Sequence, residues 1–481
     1  MKKTVLFFYV VLLGTLVSHA QNKQLLYDFY EIPQSLVLNP GAKTPFKWHS
    51  GIPLLSNIGI QAGSSGITVN DLFANDGLDF TTKFREKVIN GLQKNDEFSG
   101  SSTIEVFNIG FRNPNRASDY FSFGMYWDFI FSQFWPKDLA ILGFEGNANN
   151  LNRRFNLNHL ATQGEAVNVF HFGINRKVND TWTIGARAKL YSSVFDFKSA
   201  NNRGYFITTQ GENNILRNTL VADLSMRTSG FEEIIDVLDD DSSNSQLASV
   251  LMKRALLGGN LGLGFDIGFT HQIGKSSFLT ASMLDIGFIY HTNAVKNYTL
   301  NGAATNEGVE IILPEDLTNF NTAFWEELID DIEEQVPFGD NSQSYIALRP
   351  LKLNVSYRHN FGERKPNLKN CDCSTTSKAR AENVDYVNAV GGHLFMMNRV
   401  RGPQAALTAF YQRRIGNVLA MKTTYTVDKY SLSNLGLGVN IQAGPINFYV
   451  LADNLLGYTN FPNSSYASLQ FGFNIISWNG N

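Results

Sequence analysis

The stretch FSFGMYWDFIF, residues 121–131, carries an apolar side chain at every odd position and glycine or a polar group at most even positions. Since successive side chains of a β-strand point to opposite faces, this pattern predicts a strand with one apolar face. The same period of two recurs in residues 182–190, 261–269 and 435–443, where glycine and polar residues occupy the second face. The chain is therefore predicted to be built from strands that are apolar on one side only.

The composition limits how such strands are used. Of the 481 residues, 43% are hydrophobic, 13% aromatic and 17% charged, and the formal net charge is -3. This slight acidic balance argues against nucleic acid as a partner, because phosphate contacts need a basic face. After residue 20 no apolar run reaches the roughly 20 residues that a membrane-spanning helix needs. A multi-helix membrane protein is thus excluded, and any crossing of a membrane would use strands.

The chain begins like an exported protein. Residues 1–20 combine Lys2 and Lys3, an apolar stretch and the small-residue end Ser18-His19-Ala20, which together predict a secretory signal peptide. An uncleaved N-terminal membrane anchor is the alternative. Residues 21–46 follow, and the part from 32 to 42 is too apolar for a free tail. We expect this segment to fold into the bore of a barrel as a plug.

Fourteen strands are predicted over residues 47–478, and the connections between them alternate in length. Most connections at one end are short, whereas long loops at 64–101, 133–163, 198–259 and 293–344 lie at the other. Short periplasmic turns and long external loops are typical of an all-β transmembrane antiparallel β-barrel, in contact with the lipid of the bacterial outer membrane. The predicted strands are 47–63, 102–112, 119–132, 164–175, 181–197, 260–271, 278–292, 345–360, 385–397, 403–413, 416–427, 433–443, 446–454 and 465–477.

Three features complicate this assignment. The connection 361–384 is long although it falls among the short turns, and 398–402 is short although it falls among the long loops. Residues 203–226 also resemble a strand. Counting them as a barrel strand would move every later connection to the opposite end of the barrel, so they are placed within the loop 198–259. Two strands more or fewer are the alternatives. Within the loops, residues 81–95, 231–238 and 324–335 are predicted to be short amphipathic helices.

Several short motifs occur in a fixed order along the chain. They are Ile32-Pro33-Gln34-Ser35 with Asn39-Pro40-Gly41, Gly51-Ile52-Pro53 with Gly63-Ser64-Ser65-Gly66, Asp266-Ile267-Gly268 with Asp285-Ile286-Gly287, Leu351-Lys352-Leu353, and Asp453-Asn454. On these motifs the chain resembles a family of Bacteroidota outer-membrane proteins of unknown function, itself similar to the long-chain fatty-acid transporter type of barrel. The resemblance implies one 14-stranded barrel occluded by its N-terminal segment. Relatives of this kind include transporters of hydrophobic compounds and partner barrels of the type IX secretion machinery.

Charged residues on polar strand faces form the candidate site. Asp-Ile-Gly-Phe occurs twice, and Asp266 lies on the polar, lumenal face, whereas Asp285 lies in the apolar phase unless a kink or bulge at Gly287 re-aims it. Such a pair of carboxylates is a candidate for binding a cation or the plug; the alternative is ordinary hydrogen bonding to basic neighbours.

Basic side chains are predicted to face the same lumen. They are expected either to line a path for anionic head groups or to pair with acids such as Asp266 and Asp128. These residues are Arg187, Lys189, Lys352 and Arg358. Asp453 completes the predicted set of lumenal or plug-binding residues.

Cys371 and Cys373 are the two cysteines of the chain. In an oxidising periplasm they are predicted to form a local disulfide. A metal site is the less favoured alternative, because a closed zinc site needs four ligands and no histidine follows nearby. The acidic run from Asp239 to Asp241 lacks the glycine and glutamate of a calcium-binding loop and is interpreted as a solvated helix end.

No cofactor is predicted, and the chain contains none of the common catalytic motifs. Gly-x-Ser-x-Gly, His-Glu-x-x-His and a phosphate-binding loop are all absent from the sequence, so the protein is not expected to be an enzyme. Two hypotheses remain. The first is a plugged channel for a hydrophobic or amphipathic small molecule, and the second is a non-conducting barrel that is a partner or scaffold of another outer-membrane protein.

Overall fold

The computed structural model describes residues 23–212, 215–239, 244–307, 338–363 and 386–478. They form twenty strands. The strands are β1 (Phe46–Gly51), β2 (Ile58–Ser64), β3 (Glu97–Arg112), β4 (Asp119–Phe134), β5 (Arg154–Asn156), β6 (Thr162–Lys177), β7 (Trp182–Gln210), β8 (Leu216–Ser229), β9 (Asn260–Gln272), β10 (Ser277–His291), β11 (Asn297–Glu307), β12 (Phe338–Asn341), β13 (Tyr345–Leu348), β14 (Lys352–Glu363), β15 (Tyr386–Arg399), β16 (Gly402–Ile415), β17 (Leu419–Val427), β18 (Asn434–Ala443), β19 (Ile446–Asp453) and β20 (Tyr466–Trp478).

The barrel is closed, antiparallel and 14-stranded, as predicted. Both β1 and β2 pair with β3 on one side and with β20 on the other, so together they make the first barrel strand and close the ring. In the same way, β13 and β14 both pair with β10 and make one barrel strand in two parts. Four strands, β5, β8, β11 and β12, lie outside the ring.

The two ends of the barrel differ. The turn end carries the connections 113–118, 178–181, 273–276, 416–418 and 444–445, and the loop end carries the long ones. Both predicted exceptions are confirmed: at the turn end β14 ends at Glu363 and β15 begins only at Tyr386, and at the loop end only residues 400–401 join β15 to β16. The predicted structure within 198–259 is a hairpin of β7 and β8 that continues beyond the ring.

That hairpin belongs to a small sheet at the loop end. β8 pairs with β11, β11 pairs with β12, and the far part of β7 pairs with β5. The sheet is therefore an extension of barrel strand β7 and projects past the ring of strands.

Short helices occupy the N-terminal segment and the loops. The α-helices are Lys23–Leu26, Ser35–Leu38, Val69–Phe73, Phe80–Lys83, Lys137–Glu145, Phe231–Asp239, Asn244–Lys253 and Leu455–Thr459, with π-helical turns at Phe84–Gly91 and Arg254–Gly258 and 3-10 turns at Ala148–Asn150, Leu157–His159 and Phe461–Asn463. Helices form near the predicted 81–95 and at 231–238, whereas the predicted helix 324–335 lies outside the described residues. None of the helices in the described ranges has the length and apolar character needed to cross a membrane.

Polarity is inverted across the barrel wall. Inward-facing polar side chains such as Asp266, Lys422 and Asn474 are at most 1% exposed, whereas outward-facing Phe172 and Leu263 are 48% and 60% exposed. A water-soluble barrel buries its apolar side chains instead. An exterior of this kind needs an apolar surrounding, as an outer-membrane barrel has.

Residues 23–45, here called the N-terminal segment, contact inward-facing side chains from strands around the ring. Leu25, Phe29 and Ile32 have no exposed surface. The amide of Gln34 donates to Glu105 on β3 and to Asn474 on β20, each at 2.8 Å. Side chains of β7, β10, β14 and β17, on other sides of the ring, donate further hydrogen bonds to backbone carbonyls of the segment.

Candidate functional site

Eight charged side chains meet on the inner wall of the barrel, and we call them the lumenal ion network. Four are acidic and four are basic, so their formal charges cancel, and none is more than 5% exposed. Strand alternation directs most of them inward from β4, β6, β7, β9, β10 and β14. The members are Asp128, Glu165, Arg187, Lys189, Asp266, Asp285, Arg349 and Lys352.

The first half of the network joins β7, β9 and β10. Arg187 Nη1 lies 3.1 Å from Asp266 Oδ2, and Lys189 Nζ lies 2.9 Å from Asp266 Oδ1. Lys189 Nζ also lies 2.6 Å from Asp285 Oδ1. Each charge therefore has a neighbour of opposite sign, which offsets the cost of removing it from water.

The second half extends from Asp285 to β4 and β6. Lys352 Nζ lies 2.6 Å from Asp285 Oδ2 and 3.8 Å from Asp128 Oδ2. Arg349 places Nη2 2.9 Å from Asp128 Oδ2 and Nη1 2.7 Å from Glu165 Oε2. Acids and bases thus alternate along a continuous line of eight groups.

Asp285 reaches the lumen through an irregularity in β10. Its φ is +59°, and the register with β9 shifts between Met283 and Ile286. The irregularity therefore lies at Asp285 itself, before the predicted position Gly287. Its backbone N–H donates to Asp266 Oδ1 at 2.8 Å. The bulge brings the two carboxylates of the repeated motif together, with Lys189 between them.

The network also holds the N-terminal segment. Arg187 donates to the carbonyl oxygens of Leu36 and Val37, the latter at 3.0 Å, and Ser282 Oγ donates to the Leu38 carbonyl at 2.6 Å. These carbonyls end the helix Ser35–Leu38 and have no partner within it. Side chains of the wall thus supply the bonds that a helix end needs.

The N-terminal segment lies very close to the wall at two glycines. A Cβ atom at Gly185 would lie 2.0 Å from the Pro40 carbonyl oxygen, and one at Gly268 would lie 2.2 Å from Asn39 Oδ1. Asn175 Nδ2 donates to Pro40 O at 2.7 Å, and Thr270 Oγ1 donates to Gly41 O at 2.8 Å. Glycine at these two wall positions therefore leaves room for the segment.

Little empty space remains between the segment and the lumenal ion network. A cavity of about 50 Å³ lies between it and the network, lined by Leu38, Leu284, Phe395 and Lys352 among others. That volume holds a few water molecules. A second cavity, of about 1010 Å³, lies at the turn end and is lined in part by Lys43 and Trp478.

The structure brings together five of the seven predicted lumenal residues and separates two. Arg187, Lys189, Asp266, Asp285 and Lys352 belong to the network. Arg358 lies nearer the turn end, where its Nη1 donates to the Asp28 carbonyl at 2.7 Å. Asp453 accepts a bond of 3.1 Å from Ser468 Oγ near the loop end.

Sequence reasoning did not identify Glu165 and Arg349 as members of the site. Glu165 is in phase with the inward-facing residues of β6, so its alternation was a usable signal. Arg349 lies between β13 and β14, where no strand period applies. Cys371 and Cys373 lie outside the described residues, so their disulfide stays a prediction. Within the described part of the chain, no group of three or more histidine, cysteine or carboxylate residues is arranged to hold a metal ion.

Comparisons with known proteins give one family and several distant folds. A family model described as a family of unknown function (DUF5723) matches residues 40–453. No curated protein shows significant similarity to the chain.

Solved barrels resemble the chain only remotely. The toluene transporter TodX of Pseudomonas putida is 8% identical with a TM-score of 0.35, and covers 91% of this chain and 90% of its own. The toluene transporter TbuX of Ralstonia pickettii is 10% identical, with a TM-score of 0.37 and 92% of each chain covered. A FadL homologue of Pseudomonas aeruginosa is 11% identical, with a TM-score of 0.34 and 94% and 93% covered. Likeness at this level carries no argument about function.

Proposed function

The chain belongs to the family of unknown function DUF5723, and we propose that it is an outer-membrane β-barrel whose N-terminal segment is a displaceable plug. In this proposal the open barrel passes a hydrophobic or amphipathic small molecule. The observation that carries it is an apolar patch on the otherwise polar inner wall, covered by apolar side chains of the N-terminal segment.

The membrane location is supported by the inverted polarity of the wall. Large apolar side chains such as Phe172, Leu263 and Leu407 are 48%, 60% and 61% exposed on outward faces. In water, surface of this extent would drive association of the barrels. In the outer membrane it contacts lipid chains, and the predicted signal peptide is in keeping with export.

The plug role is supported by how completely the segment fills the bore. Leu25, Tyr27 and Phe29 are at most 1% exposed, and the cavity between the segment and the lumenal ion network is about 50 Å³. A drug-sized ligand needs a pocket of roughly 300–1,000 Å³. Passage of any such molecule therefore requires the segment to move.

Displacement of the segment leaves the barrel wall intact. The ring is closed by ladder bonds between β1, β2 and β20, none of which involves the segment. The bonds that hold the segment come from wall side chains such as Arg187, Ser282 and Lys422 to its backbone carbonyls. Departure of the segment therefore breaks side-chain bonds and apolar contacts, but no ladder bond of the ring.

A hydrophobic ligand is favoured by the patch that the segment covers. Leu284, Ala420 and Leu451 point inward from β10, β17 and β19 and are packed with Leu25 and Leu26 in one cluster. Once the segment moves, this patch offers an apolar surface inside the barrel, with the lumenal ion network beside it at Asp285. An apolar patch next to polar groups suits an amphipathic molecule.

Deletion of residues 21–44 tests this function. We expect the variant to admit the hydrophobic fluorescent probe N-phenyl-1-naphthylamine into proteoliposomes and to conduct ions in planar bilayers, whereas the intact protein stays closed. Heat-modifiable gel mobility serves as the control that the variant still forms a barrel. A folded deletion variant that is as closed as the intact protein would contradict the plug and the channel together.

A second candidate, a non-conducting partner barrel, is favoured by one observation. In the described part of the chain, edge strand β12 of the loop-end sheet pairs with β11 and with no other strand, and Phe338 within it is 50% exposed. An open sheet edge accepts a strand from another protein.

Native mass spectrometry of the protein, extracted from its own membranes in mild detergent, separates the two candidates. A stoichiometric companion that is lost when Asp340 is replaced by Pro supports the partner hypothesis, because proline there removes a donor from the open edge and leaves the ladder bonds to β11 in place. The plugged-channel proposal instead predicts a barrel without a companion.

A further inference from the structure

The cavity at the turn end is strongly basic, and we call it the turn-end vestibule. Its volume is about 1010 Å³. Among the described residues, five basic and two acidic side chains line it. Glu31 is paired with Arg414 at 3.3 Å, and Asp180 is paired with Lys177 at 2.8 Å. Both acids are therefore already engaged.

Three of the five cations lack an acidic partner. Within the described ranges, no carboxylate lies within 4.0 Å of the charged groups of Lys43, Arg112 and Arg358. Arg358 is 6% exposed, and the other two are half-buried. Cations held away from water are normally paired with acids, so three cations with no acidic partner in the described part of the chain, gathered around one cavity, suit an anionic ligand.

Two of the three cations keep donor capacity, and the third contributes its charge. Arg112 uses Nη1 and Nη2 on backbone carbonyls, including Thr44 O, and its Nε is buried. Arg358 uses Nε and Nη1 on Asn360, Asp28 and Gln412, and its Nη2 makes no hydrogen bond among the described residues. Lys43 Nζ lies 3.6 Å from the centre of the Phe278 ring and makes no ion pair among the described residues. Lys43 Nζ and Arg358 Nη2 can therefore donate to a ligand without losing a bond to a carboxylate.

The pKa of Lys43 is consistent with a cavity that suits an anion. Burial, followed by the positive charges of Arg358 on β14 and Lys177 on β6, lowers the pKa of the Lys43 ammonium to about 8. Like charges gathered in one place oppose each other. An anion among them would relieve that repulsion and hold Lys43 in its charged form.

We propose that the turn-end vestibule is a binding site for a phosphate group, held by Lys43, Arg112 and Arg358. A phosphate monoester carries nearly two negative charges at neutral pH and three acceptor oxygens. That charge matches three uncompensated cations better than a single carboxylate does, and guanidinium groups suit its geometry. The site goes beyond the proposed channel, because it exists in the closed barrel and needs no passage through the bore.

Calorimetric titration of the full-length protein with inorganic phosphate, in a zwitterionic detergent at pH 7, tests the site. We expect binding that weakens by about tenfold in Lys43→Met, the usual effect of losing one charge-assisted contact. Lys47→Met is the matched control, since Lys47 is exposed four positions away, and should leave the affinity unchanged. Between pH 7 and pH 9 Lys43 loses its proton while inorganic phosphate gains its second charge, so the ratio of the affinity of the unaltered protein to that of Lys43→Met should fall toward one.

Two results would overturn the proposal. One is no heat of binding at millimolar phosphate. The other is binding that Lys43→Met and Arg358→Gln both leave unchanged, which would place the phosphate elsewhere.

The source of the phosphate group is distinguished in nanodiscs. If phosphatidic acid in the disc abolishes the Lys43-dependent titration seen in neutral lipid, a lipid headgroup occupies the site. If the titration persists, a soluble phosphate compound does. Both results support the site, and neither depends on whether deletion of residues 21–44 opens the barrel.

Discussion

Asp285→Asn is expected to lower the free energy of unfolding of the barrel by about 3 kcal/mol. Asp285 accepts from Lys189 Nζ and Lys352 Nζ, each at 2.6 Å, and from Tyr191 Oη at 3.2 Å. The substitution leaves two buried ammonium groups without this partner. The loss is at the lower end for a broken buried pair, because Lys189 keeps Asp266 at 2.9 Å.

Replacement by asparagine removes the negative charge and keeps the size of the side chain and the backbone conformation at this position. Asp285 has a φ of +59°, a conformation that asparagine tolerates about as well as aspartate, so the bulge is preserved. The midpoint of urea unfolding, followed by tryptophan fluorescence in detergent, measures the effect. Asp180→Asn is the matched control: its pair with Lys177 lies on the surface, with the Asp180 side chain 93% exposed, and the midpoint should not move.

A double variant makes the interpretation sharper. Asp285→Asn combined with Lys352→Met removes one negative and one positive charge, so the network is neutral again and part of the lost stability should return. If Asp285→Asn alone unfolds at the midpoint of the unaltered protein, the network does not stabilise the barrel and the argument from charge pairing is wrong.

Gly185→Val is expected to displace the N-terminal segment while leaving the ring folded. Its Cβ atom would lie 2.0 Å from the Pro40 carbonyl oxygen, and this neighbour is backbone that cannot turn aside. Valine is favourable in a strand, and the ladder bonds of β7 do not change. We therefore expect uptake of N-phenyl-1-naphthylamine to rise to the level of the variant that lacks residues 21–44.

Gly59→Val is the control for side-chain volume. A Cβ atom at Gly59 meets nothing closer than 3.6 Å, and the nearest atom belongs to the flexible side chain of Gln470. This variant should stay closed. Uptake by Gly59→Val equal to that of Gly185→Val would show that general loosening of the wall, and not the loss of the contact with Pro40, opens the barrel.

The strands were predictable because their information is local. A closed ring in lipid needs an apolar outside and a polar inside along each strand, and residues 121–131 carry that alternation over the full width of the wall. Because successive connections of an antiparallel ring alternate between its two ends, the strand count also placed the predicted connection 361–384 at the correct end, against its length. The count of fourteen is confirmed for this reason.

The candidate site was less predictable, because it depends on contacts between distant strands. The alternation of polar and apolar residues predicted that Arg187, Lys189 and Asp266 face the lumen, but it assigned Asp285 to the apolar face. The bulge that turns Asp285 inward leaves no recognisable pattern in the sequence. Arg349 precedes Pro350 and lies outside any strand, so alternation could not predict its direction. Its contact with Glu165 joins residues far apart in the sequence, which no local pattern can predict. The predicted disulfide of Cys371 and Cys373 stays a prediction.

The bonds of Gln34 have a consequence for the order of assembly. Gln34 contacts Glu105, 71 residues away, and Asn474, 440 residues away, on the two strands that flank β1 where the ring closes. Contacts of such long range form late, and these two cannot coexist until the last strand has joined the first. The earliest part of the described chain to be synthesised therefore completes its contacts only when the last strand has joined the first.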